Sequence, residues 1–287
     1  MIIIFIIVLV ILLCDHTNES FINMYKYTIP KTIYTYWNDI ESNPIIQSHI
    51  ETWKNNISSD WNIVVISDSN INNYVSREFI NKYQSLDVVR FSDFLRLELL
   101  KNGGVWMDAG IFIVDGGFLN DYYNEMMQYE YDICLYEYSD RSTTTTQYLE
   151  NWFFMAPQNS KFIINLYTEF NKAYEMGFLN YKKQILIPSN IDMKYTLQTG
   201  DKTYLMQHAI IHYLIKQGNQ YKMNIKDANE SMFKIQRDNK WEHKNIINNI
   251  LRNKNWKDFY AVKLTNQTRH FIPDNTNYTN TMYKIKK

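Results

Sequence analysis

The sequence predicts an α/β fold: a Rossmann-like sheet of mixed, mainly parallel strands flanked by helices. Three observations carry that prediction. Segments rich in β-branched and aromatic residues alternate with segments of helical periodicity through the first half of the chain. Trp61–Ser67 (WNIVVIS) is almost continuously apolar, as strands of a parallel sheet covered on both faces are. Phe91–Asp108 reads as a helix, a double-glycine turn and an apolar strand ending in a carboxylate, and in an open α/β sheet ligands bind at that end of the strands.

The elements follow in order. Thr32–Trp37 (TIYTYW), after Pro30, is a strand by its β-branched and aromatic content. Pro44–Asn55 is a helix with Ile45, Ile46, Ile50 and Trp53 on one side. Trp61–Ser67 is the second strand, and Asp68-Ser69-Asn70 turns the chain into a mixed helix and loop over Ile71–Tyr83. A helix begins at Phe91, with Ser92 as its N-cap and Asp93 in its first turn, where the dipole favours a carboxylate. Gly103 and Gly104 stop it. Val105–Met107 and Ile111–Val114 are apolar strands, followed by strands at Asp132–Tyr138 and Trp152–Ala156. Ser160–Tyr174 and Thr203–Lys216 are helices, and Tyr260–Leu264 is a late strand in an otherwise weakly patterned end.

Composition narrows the function classes. Apolar residues make up 45 % of the 287 residues, enough for a substantial core, and the formal net charge is zero. A nucleic-acid binder would show a basic excess, so none is expected as a partner. Cys14 and Cys134 form no disulfide framework, and no Cys/His group has zinc-ligand spacing.

The chain divides into residues 1–14, 15–28 and 29–287. Met1–Cys14 (MIIIFIIVLVILLC) is uninterrupted apolar sequence, short for a membrane span, and no small-residue cleavage site follows it. The favoured reading is a single-pass signal-anchor that places the protein at a membrane. The alternative is a cleaved signal peptide and a secreted product. Residues 15–28 read as a polar stem.

The chemistry concentrates in Phe91–Asp115 (FSDFLRLELLKNGGVWMDAGIFIVD). Asp93 and Arg96, three apart, share a helix face and form either a ligand-binding pair or an intrahelical ion pair. Asp108 ends a buried strand, either as a group facing the crevice or as a turn or cap residue.

The pattern Ser92-Asp93-x-x-Arg96, then Gly103-Gly104-Val105-Trp106-Met107-Asp108, resembles capsular polysaccharide synthesis proteins and the wider DXD-motif sugar transferases of the glycosyltransferase family 32 type. Weaker matches follow in the same order: Ile29-Pro30-Lys31-Thr32-Ile33 with Tyr36-Trp37, Asn151-Trp152-Phe153, then Asp201, Tyr204 and His208, and Lys263-Leu264-Thr265. The resemblance implies a GT-A fold and a glycosyltransferase. Such an enzyme would move a sugar from a nucleotide-sugar donor to a glycan or polysaccharide acceptor, with retention of configuration. By resemblance Trp37 would stack on the nucleotide base, unless it is a core aromatic. Asp93 would hold ribose or sugar, and Arg96 would bind donor sugar or phosphate. Gly104 would allow close backbone approach, His208 would contribute to the donor site, and Asp108 would be the first aspartate of the DXD. The motif here is Asp108-Ala109-Gly110, so the residue that usually holds a divalent cation (Mn²⁺ or Mg²⁺) has no side chain. Metal dependence is therefore open. Asp115 and a His208–His212 pair are candidate substitute ligands, and Arg96, His208 or Lys263 would otherwise have to supply positive charge. The competing reading is a catalytically inactive nucleotide- or carbohydrate-binding protein on the same fold.

Overall fold

The structure, a computed structural model, describes residues 26–142, 147–191, 203–253 and 256–285. The apolar residues 1–14, most of the stem, and Asp201 lie outside the described residues. Among the described residues no helix is long and apolar enough to cross a membrane.

The first half follows the expected alternation. Strand β1 (Thr32–Tyr36) leads to α1 (Pro44–Asn56), β2 (Asn62–Ile66), α2 (Arg77–Tyr83), α3 (Val88–Leu100) and β3 (Gly104–Met107). Then come β4 (Ile111–Ile113), α4 (Gly117–Tyr129), β5 (Ile133–Glu137), β6 (Leu149–Ala156) and α5 (Lys161–Met176). The rest comprises α6 (Phe178–Tyr181), α7 (Met206–Lys216), β7 (Met223–Asp227), α8 (Lys234–Asp238) and α9 (His243–Arg252). Strand β8 (Ala261–Lys263), α10 (Asn266–Arg269) and α11 (Asn275–Met282) complete it.

Six strands form the main sheet in the order β2-β1-β3-β6-β5-β7. β2, β1 and β3 run parallel, β6 is antiparallel to both neighbours, and β5 pairs with β7 in parallel. The predicted mixed α/β sheet is therefore present. Two details differ. β2 is an edge strand with Ile63, Val64 and Val65 only half-buried, not a strand covered on both faces. Its apolar run reflects β-propensity rather than a central position. The late strand β8 leaves the main sheet and pairs antiparallel with β4, Ile111 opposite Lys263. A second, smaller core gathers behind this ribbon, with Phe112, Val262 and Leu264 packed against Ile246, Ile250 and Tyr278.

The start of α3 also differs. The helix begins at Val88, capped by Asp87, whose carboxylate accepts the N–H groups of Val89 and Arg90, both at 3.0 Å. Asp87 offers a cap one turn earlier than Ser92, so the helix takes the extra turn. Ser92 and Asp93 are interior, and Asp93 faces side chains rather than free amides. Phe94 anchors α3, its ring stacked on Tyr83 of α2 at 4.0 Å and against Phe170 of α5 at 4.5 Å. At the helix end Gly103 and Gly104 both have positive φ (76° and 112°), which L-residues with side chains rarely adopt. A Cβ on Gly104 would lie 2.8 Å from the Thr32 carbonyl oxygen, so this glycine lets β3 approach β1.

Candidate active site

Two parallel strands deliver the first two residues. Trp37 follows β1 directly, its N–H donating to the Ile66 carbonyl at 3.0 Å. Asp108 follows β3, its N–H donating to the Trp152 carbonyl of β6 at 2.9 Å. Both therefore stand at the carboxyl edge of the sheet.

The turn Asp108-Ala109-Gly110 is held from below by α1. His49, Thr52, Trp53 and Asn56 lie at i, i+3, i+4 and i+7, one helix face. Trp53 Nε1 donates to the Ile111 carbonyl at 2.8 Å and Asn56 Nδ2 to the Ile113 carbonyl at 3.1 Å. Thr52 Oγ1 accepts the Ile113 N–H at 2.8 Å. His49 Nδ1 donates to the Ala109 carbonyl at 3.1 Å, which leaves Nε2 to accept from the Tyr278 hydroxyl at 2.8 Å. Burial keeps this imidazole neutral, with its pKa lowered to about 3, and the nearby Arg269 adds to the effect.

Asp108 is the hub. Its Oδ1 accepts from Trp106 Nε1 at 3.0 Å and from Arg96 Nη2 at 3.4 Å; its Oδ2 accepts from Lys263 Nζ at 2.7 Å. Burial by itself would raise this carboxyl, but Lys263 and Arg96 outweigh it and hold it below the usual range. It is therefore an anion near neutrality and a poor proton acceptor. Burial lowers the Lys263 ammonium, while Asp108 pulls the other way.

Arg96 couples Asp108 to a second layer. Its Nη1 donates to Asp93 Oδ1 at 2.8 Å and to Gln207 Oε1 at 3.0 Å, and its guanidinium lies over the Trp106 ring at 5.2 Å. Asn151 Nδ2 donates to Gln207 Oε1 at 2.7 Å and to Asp93 Oδ1 at 3.3 Å, and Gln207 Nε2 returns to the Asp93 carbonyl at 3.0 Å. Arg90 Nη1 reaches Asp93 Oδ2 at 3.5 Å and the Tyr204 carbonyl at 2.9 Å. Burial pushes the Asp93 carboxyl up, against the pull of Arg96 and Arg90. Asp93 is only 3 % exposed, so it orients Arg96 rather than facing the crevice.

Of the residues singled out by sequence, Arg96 and Asp108 are in contact, and Asp93 is joined to them through Arg96. Trp37 joins through Arg269, whose guanidinium lies 5.4 Å over its ring. Gly104 does not join them: it stands at the amino end of β3, at the opposite edge, and its tight contact is with β1. His208 is buried against the Tyr148 ring and pairs with Glu150 Oε2 at 3.5 Å, beside Asn151 rather than beside Asp108. Asp115 accepts the Gly117 N–H at 2.8 Å and opens α4. Three residues were not foreseen as site residues: Gln207, Arg269 and His49. Gln207 adjoins the quoted His208, so the segment was flagged, and it is Gln207 that contacts Arg96. Arg269 and His49 carry no local signal.

The donor set does not suit a divalent cation. Both Asp108 oxygens are already bonded to cationic or N–H donors, and Gly110 adds no oxygen. No group of three His, Cys, Asp or Glu is placed for a metal among the described residues.

Beside the site, a cleft of about 330 Å³ opens at the carboxyl ends of β1 and β2, lined in part by Tyr36, Asn38, Asp68, Val88 and Phe91. The Tyr36 hydroxyl donates to Asp68 at 2.5 Å across its floor. A larger cleft, about 690 Å³, lies along the outer side of α1 with Glu41, Glu51 and Lys54, and includes none of these residues.

Fold and site together define an α/β protein with a cation-rich crevice at the carboxyl edge of its sheet. The chain belongs to the capsular polysaccharide synthesis protein family, which it matches over residues 15–284. No curated protein matches it. Among solved structures it is similar to the PaToxG glycosyltransferase, at 14 % identity over 92 % of this chain and 90 % of that one, with a TM-score of 0.41. It is also similar to a galactosyltransferase, LgtC, in complex with donor and acceptor sugar analogues (9 % identity, 88 % and 94 % covered, TM-score 0.45). The glycosyltransferase GlyE of Streptococcus pneumoniae TIGR4 is a third (8 % identity, 88 % and 63 % covered, TM-score 0.42).

Proposed function

We propose that this member of the capsular polysaccharide synthesis family is a GT-A type glycosyltransferase. It moves a sugar from a nucleotide-sugar donor to a glycan or polysaccharide acceptor, with retention of configuration. Residues 29–287 form the catalytic domain, and residues 1–14 anchor it to a membrane. The observation that carries the proposal is the meeting of Arg96 and Asp108, from one helix-turn-strand run, with the distant Lys263 at the carboxyl edge of the sheet, Trp37 and Arg269 lying beside them.

The nucleoside occupies the cleft at the ends of β1 and β2 with its base near Trp37, and the diphosphate lies toward the Asp108 turn. In the reaction the bond between the anomeric carbon and the diphosphate oxygen breaks, and its electron pair leaves with the diphosphate. The acceptor hydroxyl oxygen forms the new bond, and its proton passes to the departing diphosphate. Fixed positive groups near that diphosphate stabilise the charge that develops on it. Asp108, held ionised, accepts hydrogen bonds from sugar hydroxyls and positions Lys263, while Asp93, Gln207 and Asn151 hold Arg96 in place.

A panel of nucleotide sugars tests the reading through donor hydrolysis and transfer. Turnover of one donor supports it, and NMR of the product's anomeric configuration decides retention. Tight nucleotide binding with no turnover of any donor would favour the non-catalytic binding protein instead. No thermal shift with any nucleotide would remove both.

A further inference from the structure

Gly110 stands where the resemblance would place a metal-holding carboxylate, and its surroundings show what occupies that space instead. A Cβ built on Gly110 would lie 2.6 Å from Arg269 Nη1, 2.8 Å from the Leu264 carbonyl oxygen and 3.4 Å from Lys263 Nζ. Two cations therefore crowd the position from which a second aspartate would reach.

They are fixed there by the backbone. The Leu264 N–H donates to the Gly110 carbonyl at 2.8 Å, and Arg269 Nη1 donates to the Leu264 carbonyl at 2.7 Å. Thr265 caps the short helix that carries Arg269, accepting the Thr268 N–H at 3.2 Å. The β4–β8 ribbon thus presses Lys263 and Arg269 onto the Asp108-Ala109-Gly110 turn.

The two cations differ in what balances them. Lys263 is paired with Asp108. Arg269 bonds only neutral oxygens, the Leu264 carbonyl and Asn266 Oδ1 at 3.4 Å, and makes no ion pair among the described residues. A partly buried guanidinium that no carboxylate contacts, with Asp108 acting on it only through space, is a ready site for an oxyanion, which its planar fork matches. It also lies against Trp37, so a base on Trp37 would leave its diphosphate within reach. A divalent cation on Asp108 Oδ2 would instead have an ammonium 2.7 Å from its ligand, a repulsive neighbour.

We propose that Lys263 and Arg269 form a cationic clamp for the donor diphosphate in place of a divalent metal, so that donor binding and transfer proceed without one. The clamp rests on the nucleotide-sugar reading above. It assigns Arg269 as a donor-binding residue and gives the β4–β8 ribbon a function, delivery of that charge.

The test is calorimetric titration of the full chain with UDP, GDP, CDP, ADP and dTDP, in excess EDTA and in Mn²⁺. One nucleoside diphosphate should bind with the same affinity, within about threefold, in both conditions. Arg269→Gln and Lys263→Met should each weaken that diphosphate about tenfold or more, the loss of a charge-assisted contact, and leave the matching nucleoside within about threefold. Melting curves establish that each variant is folded, and Arg269→Lys should recover part of the affinity. Binding only in Mn²⁺ would overturn the clamp and leave the transferase reading intact. Equal losses for nucleoside and diphosphate would also overturn it, because they would mark the two residues as structural. Absence of binding in either condition would overturn the clamp together with the reading on which it rests.

Discussion

Mild acid should destabilise the protein through His49. The imidazole is buried between the Ala109 carbonyl and the Tyr278 hydroxyl, and its pKa falls from 6.5 to about 3 on folding. Between those values the unfolded chain binds a proton that the folded chain does not, so stability from this group is complete above about 6.5 and is lost as pH falls toward about 3. With RT near 0.59 kcal/mol, the difference between pH 7 and pH 5 comes to about 2 kcal/mol, and it barely changes if the folded value is nearer 4. The assay is urea unfolding of the wild type and of His49→Gln at pH 7, 6 and 5. The variant is expected to start less stable, having lost a fitted pair of hydrogen bonds, but to fall by about 2 kcal/mol less than the wild type between pH 7 and 5. Parallel pH slopes for the two proteins would refute the assignment. Because His49 holds the Ala109 carbonyl, the same variant should weaken donor affinity at pH 7 without touching the donor.

Three further outcomes follow from the geometry. Asp108→Ala should abolish transfer while circular dichroism stays native, because the residue is partly exposed (28 % of its side chain) and Arg96 keeps its bonds to Asp93 and Gln207. Near-normal turnover would sink the site assignment. Arg96→Lys should lower kcat/KM by about 10–100-fold, since one ammonium cannot reproduce the fork that joins Asp93, Gln207 and Asp108; a loss under threefold in steady-state kinetics would contradict that role. Gly104→Ala should cost about 1–3 kcal/mol in urea, from positive φ and the close Thr32 carbonyl, yet leave the folded protein's nucleotide affinity unchanged. A selective affinity loss would restore the ligand-side role expected from sequence.

Apart from α4, for which no helix was expected, the sequence alone determined the order of elements through β6 and the run from Asp93 to Asp108. Those features are local: periodicity, paired glycines and an apolar strand closed by a carboxylate are written in neighbouring residues. The start of α3 was misplaced by a turn because Asp87 and Ser92 are both competent caps, and the choice belongs to packing of the extra turn. The family resemblance was likewise legible, down to the Lys263-Leu264-Thr265 fragment, although nothing local said what that fragment touches.

Tertiary structure decided the rest. Lys263 meets Asp108 across 155 residues of chain, and His49 meets Tyr278 across 229, contacts that no periodicity encodes. Gly104 and Gly110 look alike as letters, but one lets two paired strands approach and the other makes room for two cations. What surrounds a missing side chain is a property of the folded neighbourhood, because charge and volume at a point are supplied by whichever distant segments pack there.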